Sequence, residues 1–232
     1  MALIKDREGR KGGGYERLFG DEALGHLISR VQAAVISSGT ELERIIKQEV
    51  APIKDLDSFL DQEIMEEGVF LVGKRELKSS AKLDFTGSEP DFVVFRRRNE
   101  RQHCYVIELK DGDNFDTKKS TSEHRALHDY VTQNAPHLHF TVTSHICCFN
   151  QTSREEIVRG FKARIPLEEA MTGREFCELL EIDYEKILET RKKDQLANLQ
   201  YFVGELTKIA AVKEHFLYCL QNPIEEQRSI FN

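Results

Sequence analysis

Long apolar runs are missing from this 232-residue chain. None approaches the roughly 20 residues that a membrane-spanning helix needs, and the N-terminus carries no apolar block of the signal-peptide kind. The expectation is a soluble, cytoplasmic protein with no membrane partner. Paired cysteine motifs are missing too. The five cysteines include the adjacent Cys147 and Cys148 but no Cys-x-x-Cys, which argues against a zinc knuckle. An odd number of cysteines without a secretion signal reads as reduced core thiols. There is no Gly-x-Ser-x-Gly elbow and no dinucleotide fingerprint, so serine-hydrolase chemistry and an organic cofactor find no support. Gly12-Gly13-Gly14 follows no strand and lacks the Gly-Lys-Ser/Thr order of a phosphate-cradling loop. Asp111 to Asp116 begins like a calcium loop, but Asp116 and Ser122 stand where that loop needs glycine and glutamate.

What is present is globular. The chain is 40% hydrophobic and 31% charged, enough for one well-buried domain. A net charge of −7 and a pI near 5.7 argue against promiscuous coating of nucleic acid. They are compatible with a local basic cleft around a carboxylate-rich site.

Periodicity places the elements. Leu24, Leu27, Ile28, Val31 and Val35 predict an amphipathic helix over 21–36, broken at Ser37-Ser38-Gly39. Thr40 with Glu43 reads as a capping box opening a second helix to about Val50. Short strands are expected at 68–73 and 83–86. Residues 91–95, Asp-Phe-Val-Val-Phe, read as a strand, Arg96 to His103 as a hairpin loop, and 104–110 as the return strand. A helix from Asp116 or Thr117 to about Thr132 and a strand over 138–149 complete a crossover unit. The fold class is therefore α/β, a mixed central β-sheet flanked by helices. From about 153 onward the pattern is largely helical. Phe176, Leu179 and Leu180 stripe a short helix, and Leu196, Leu199, Phe202, Val203, Leu206, Ile209, Ala210 and Phe216 a long one. The expected organisation is one domain over 1–232, with an α/β core at 21–150 and a helical extension at 151–232. Residues 1–20, with Lys5, Arg7, Arg10 and Lys11, read either as a flexible tail or as a basic arm for a nucleic-acid backbone.

The chemistry concentrates in the hairpin. Side chains alternate along a strand, so Glu108 and Lys110 share a face. Asp91 sits at the mouth of the first strand after Pro90, and antiparallel pairing would bring it close to Glu108. Two facing carboxylates repel unless a cation intervenes, and Mg²⁺ prefers such oxygen ligands. A lysine beside it can orient a water or offset developing charge. The alternative is a surface hairpin with a Glu–Lys pair and a solvated aspartate. Glu76-Leu77-Lys78 repeats the letters of Glu108-Leu109-Lys110 but has no partner like Pro90-Asp91 upstream.

At Pro90-Asp91 and Glu108-x-Lys110 the chain resembles the PD-(D/E)xK nuclease superfamily. Within it, the length, the early helices and a C-terminal stretch with Met171-Thr172-Gly173 look most like a type II restriction endonuclease. The resemblance implies a Mg²⁺-dependent DNA endonuclease that leaves a 5′-phosphate and a 3′-hydroxyl. It implies metal held by Asp91, Glu108 and the backbone carbonyl of Leu109, with Lys110 positioning the attacking water. It also implies double-stranded DNA as partner and a homodimer whose two-fold axis matches a symmetric site. The alternatives are a repair or recombination nuclease that reads DNA structure, and a non-catalytic binding module on the same fold.

Members of that superfamily often add an acid from an early helix. The candidates are Glu43, which also has the capping role, and Glu49, on the face of Leu42 and Ile45. Lys118 and Lys119 open the helix after the active strand and suit phosphate contact. Arg96, Arg97, Arg98 and Arg101 either face DNA or form a charged turn in water. Lys11 belongs with the candidate arm. His137 and His139 alternate on one strand and are either structural or metal ligands without an evident third partner.

Overall fold

The computed structural model describes residues 1–221 apart from 52, 54, 63–65, 84–88 and 113–116, and leaves the side chains of 117–120 undescribed. In chain order the helices are α1 Gly14–Phe19, α2 Glu22–Ile36, α3 Ser38–Glu49, α4 Leu56–Leu60, α5 Lys74–Ser79, α6 Thr117–Asn134, α7 Arg154–Gly160, α8 Gly173–Leu180, α9 Tyr184–Leu206 and α10 Ala210–Gln221. The strands are β1 Gly68–Gly73, β2 Phe92–Arg98, β3 Arg101–Lys110, β4 Thr141–Cys148 and β5 Ala170–Thr172.

The chain divides into two compact units. Gly39–Leu188 holds the sheet, in the order β1-β2-β3-β4-β5. The first three strands run antiparallel, and β4 and β5 continue in parallel. The parallel join is the β3–α6–β4 crossover, as the hairpin–helix–strand order requires. Helices cover both faces. On one, Val93, Phe95, Cys104 and Val106 pack with Leu77, Leu127, Tyr130, Ile157 and Phe161. On the other, Phe92, Val94, Ile107 and Leu109 pack with Leu42, Ile46, Phe176 and Leu180. Odd and even residues of β2 thus feed opposite layers, as strand alternation dictates. The mixed α/β sheet flanked by helices is the expected fold class.

The other unit, Met1–Ser38 with the chain from Glu189 onward, is helical among its described residues. Residues 1–20, read as a tail or arm, are folded here. Ala2 and Ile4 are buried against Val31, Tyr201 and Phe202, and the Ile4 amide donates to Asn198 Oδ1 at 2.8 Å. Helix α2 starts after Asp21, whose side chain accepts the Leu24 amide at 2.8 Å. Large apolar side chains stay exposed in this unit: Val35, Ile36, Leu196, Leu199, Val203, Phe216 and Leu217.

Several boundaries differ from expectation. Helix α3 begins at Ser38, one residue after α2, so the break is shorter than Ser37-Ser38-Gly39 and Thr40 lies inside the helix. The strand expected at 83–86 lies largely outside the described residues. The long C-terminal helix is two, α9 and α10. Strand β5 was not expected, since three residues carry too little pattern to read. The arginine stretch is no loop. Strands β2 and β3 run through it to a two-residue turn, Asn99-Glu100, with φ of 49° and 66°. Positive φ at both central residues is the type I′ hairpin turn, which matches strand twist. Cys104, Cys147, Cys148 and Cys177 are buried and form no disulfide, as core cysteines should, while Cys219 is exposed.

Met171-Thr172-Gly173 joins β5 to α8. Thr172 and Glu175 form a capping box, with the Thr172 amide donating to Glu175 Oε2 at 2.8 Å. A Cβ on Gly173 would stand 2.2 Å from the Phe149 carbonyl oxygen, so glycine is needed for this close backbone approach. Gly173→Ala is expected to destabilise the protein by about 3 kcal/mol or more, measured by denaturant unfolding. By contrast, Glu100→Gly relieves a left-handed non-glycine residue and should add about 1 kcal/mol.

Candidate active site

The β2–β3 ladder builds the site. Phe92 pairs with Ile107, so Asp91, one residue before β2, falls opposite Glu108 at the open end of the pair. The Asp91 side chain is buried, 7% exposed. Burying a carboxylate demands partners. Its Oδ2 accepts the Leu109 amide at 2.6 Å, and its Oδ1 is ion-paired with Lys74, the first residue of α5. In a pleated ladder, the N–H and C=O of one residue face the same neighbour. The Leu109 carbonyl therefore opens to the Asp91 side, past the end of β2.

Glu108 and Lys110 lie on one face of β3, as alternation requires. Lys110 Nζ is 2.6 Å from Glu108 Oε1 and 2.8 Å from Glu123 Oε1 on α6. Glu43 of α3 adds its charge to the Asp91 environment, and Lys47 lies over the Phe92 ring, 5.6 Å from its centroid. Burial pushes the Glu108 carboxyl above its ordinary range. Asp91 and Glu123 push the same way, against the Lys110 ammonium. Burial likewise raises Glu43, with Asp91 adding to it and Lys74 and Lys47 opposing. Lys74 and Lys110 feel burial downward, yet their carboxylate neighbours outweigh it and hold both above the usual lysine range. Four carboxylates, Glu43, Asp91, Glu108 and Glu123, thus outnumber the lysines Lys47, Lys74 and Lys110. An oxygen-rich cluster with surplus negative charge fits a hard divalent cation.

Asp91, Glu108, Leu109 and Lys110 come together as the strand pattern anticipates, and Glu43 stands near them. Glu49 does not. It ends α3, is exposed, and pairs with Lys186 at 2.7 Å. Arg96, Arg97 and Arg98 sit at the far end of β2, in the sheet ladder. Lys118 and Lys119 lie in the first turn of α6, their side chains outside the described residues. Lys11 is exposed in the helical unit. His137 and His139 are exposed and precede β4, so they do not alternate on a strand. Three residues of the cluster are not singled out by the sequence reading: Lys47, Lys74 and Glu123. Glu123 had a signal, since it shares the inward face of α6 with Leu127 and Tyr130 at i+4 and i+7. Lys74 had none in its local sequence.

A mixed, helix-flanked sheet with a carboxylate–lysine cluster at the end of its central hairpin suits a nuclease. Over 222 residues the chain is 41% identical to the type II restriction enzyme HhaII of Haemophilus parahaemolyticus, a match covering 92% of this chain and 97% of that enzyme. The chain belongs to the type II restriction enzymes, the site-specific deoxyribonucleases. No family model matches it, and no solved structure does. No helix among the described residues is long and apolar enough to cross a membrane.

The raised Glu43 carboxyl has a consequence for stability. Its folded form binds a proton more readily than its unfolded form. Its contribution to stability is therefore fully present below about pH 4.5 and is lost as pH rises through the folded value. Glu43→Gln should raise Tm over wild type at pH 8, with the difference vanishing near pH 4. An equal Tm at both pH values would show that this carboxyl ionises without cost.

Proposed function

We propose that this restriction enzyme cleaves both strands of a defined duplex DNA sequence with Mg²⁺, by PD-(D/E)xK chemistry. The supporting observation is the convergence at the hairpin end: Asp91 binding the Leu109 amide, opposite a Glu108 bonded to Lys110. Asp91, Glu108 and the Leu109 carbonyl would hold the ion, with Glu43 as the additional acid. When bound, Mg²⁺ lowers the pKa of a coordinated water and stabilises charge on the phosphoryl oxygens. Lys110, kept protonated by Glu108 and Glu123, orients the attacking water toward phosphorus. Lys74 neutralises Asp91 and keeps its carboxylate aligned. Hydrolysis leaves a 5′-phosphate and a 3′-hydroxyl. A relative named as a type II restriction enzyme favours a defined-sequence duplex over branched DNA as the substrate.

The basic residues extend the reading to DNA contact. Arg96, Arg98 and Arg101 line a cavity of about 500 Å³ with His103 and Tyr105, and Arg98 pairs directly across from Arg101. Like charges opposite one another in a ladder are destabilising and favour an anion between them. Phosphate is that anion here, with Arg97, Lys118, Lys119 and Lys11 as further backbone contacts. A homodimer cuts the two strands, and the exposed apolar side chains of α9 and α10 supply its surface.

Plasmid cleavage with and without EDTA, followed by sequencing of the fragment ends, tests the reading. Asp91→Ala, Glu108→Ala and Lys110→Ala are each expected to lower kcat by about 10²–10³ or more while largely sparing DNA binding. Full activity in any of the three at saturating Mg²⁺ would remove the assignment. Arg98→Ala with Arg101→Ala should weaken DNA binding across sequences and shrink the salt slope by about 1 per lost phosphate contact. An unchanged slope would place the arginines away from the duplex.

A further inference from the structure

A second polar cluster lies apart from the hairpin end. His124 and His128 are one helical turn apart on α6, the i, i+4 spacing that sets two imidazoles on one face. Glu169 comes to meet them from the 3₁₀ turn Leu167–Glu169, just before β5. The two Nε2 atoms stand 3.1 Å apart. Glu169 Oε2 is 2.5 Å from His124 Nε2 and 3.2 Å from His128 Nε2, and its Oε1 is 3.1 Å from the latter.

These distances have a simple reading. Two ring nitrogens in such contact require at least one to present a lone pair. Donors placed about 2.0–2.1 Å from a tetrahedral ion are separated from each other by about 3.3 Å. Two of the three separations here, 3.1 and 3.2 Å, lie close to that spacing, while His124 and Glu169 are drawn to 2.5 Å by the hydrogen bond they share without an ion between them. The burial also suits an ion site. The side chains of His124 and Glu169 are 21% and 19% exposed, while that of His128 is 49% exposed, leaving an approach for an ion and a place for water. Imidazole pairs with one carboxylate select borderline transition metals and not Mg²⁺.

We infer that His124, His128 and Glu169 form a Zn²⁺-class metal site, separate from the Asp91–Glu108 cluster, that ties α6 to the chain entering β5. Its place in the fold gives it a use. Glu123 is the neighbour of His124 in sequence, and its carboxylate is 2.8 Å from Lys110 Nζ. An ion that fixes this turn of α6 fixes Glu123 against Lys110. The site is a structural clamp, and it does not depend on the assignment of the hairpin residues.

Co²⁺ is the probe, because a four-coordinate N₂O-plus-water site gives intense visible absorption. The full chain, stripped with chelator and held in excess Mg²⁺, is titrated with Co²⁺ and then Zn²⁺. One Co²⁺ per chain is expected, displaced by Zn²⁺. His124→Ala, His128→Ala and Glu169→Gln should each weaken uptake, the histidine variants by more than the roughly 100-fold that losing an outer-shell partner costs. Asp91→Ala should bind Co²⁺ as wild type does. The half-exposed His128 is replaceable without harm to the fold, so wild-type uptake by His128→Ala would overturn the inference. So would an absence of Co²⁺ uptake by the wild-type chain, or loss of uptake in Asp91→Ala with retention in the histidine variants.

Discussion

A buried aspartate that accepts the amide of the neighbouring strand holds this site in place. Asp91 lies beyond the last β2 rung, where no ladder bond would otherwise satisfy Leu109. Its carboxylate takes over that role and, in doing so, is pinned within reach of Glu108. The arrangement is costly. Buried like charges oppose one another, and lysines offset them incompletely. The raised Glu43 and Glu108 carboxyls are the visible sign of that cost. A protein selected for stability alone would not gather these groups, which is why such clusters mark function.

The sheet supplies the geometry through its mixed connectivity. The antiparallel β2–β3 pair sets Asp91 opposite Glu108. The parallel crossover then brings α6 back over the same face, where Leu127 and Tyr130 enter the core and Glu123 reaches Lys110. Hairpin and crossover meet at the C-terminal end of β3, the end where α/β sheets place their reactive groups.

Much of this was legible in the amino acids because it is local. Aromatic and β-branched residues at 91–95 and the apolar run at 105–109 reveal both strands, and strand alternation then sets Glu108 and Lys110 on one face. The arginines were misread because a charged run resembles a loop. Asn99-Glu100 lacks the glycine that advertises a type I′ turn, and the ladder overrides weak strand propensity at Arg96 to Arg98. Glu49 follows the apolar stripe of Leu42, Ile45 and Ile46, yet it falls at the helix end, where a long side chain can swing out to Lys186. Lys74 pairs with Asp91 across a separation that no periodicity encodes. Strand β5, three residues long, owes its state to the β4 edge beside it and not to its own composition.

The ordering of these parts along the chain bears on how the molecule forms. Every group of the hairpin-end cluster joined here by a hydrogen bond or ion pair lies between Lys74 and Glu123. Closing short loops costs little entropy, so contacts of this kind can assemble early and quickly. During synthesis that stretch leaves the ribosome well before α9 and α10 exist. The carboxylate–lysine end of the hairpin is thus positioned to form ahead of helices α9 and α10.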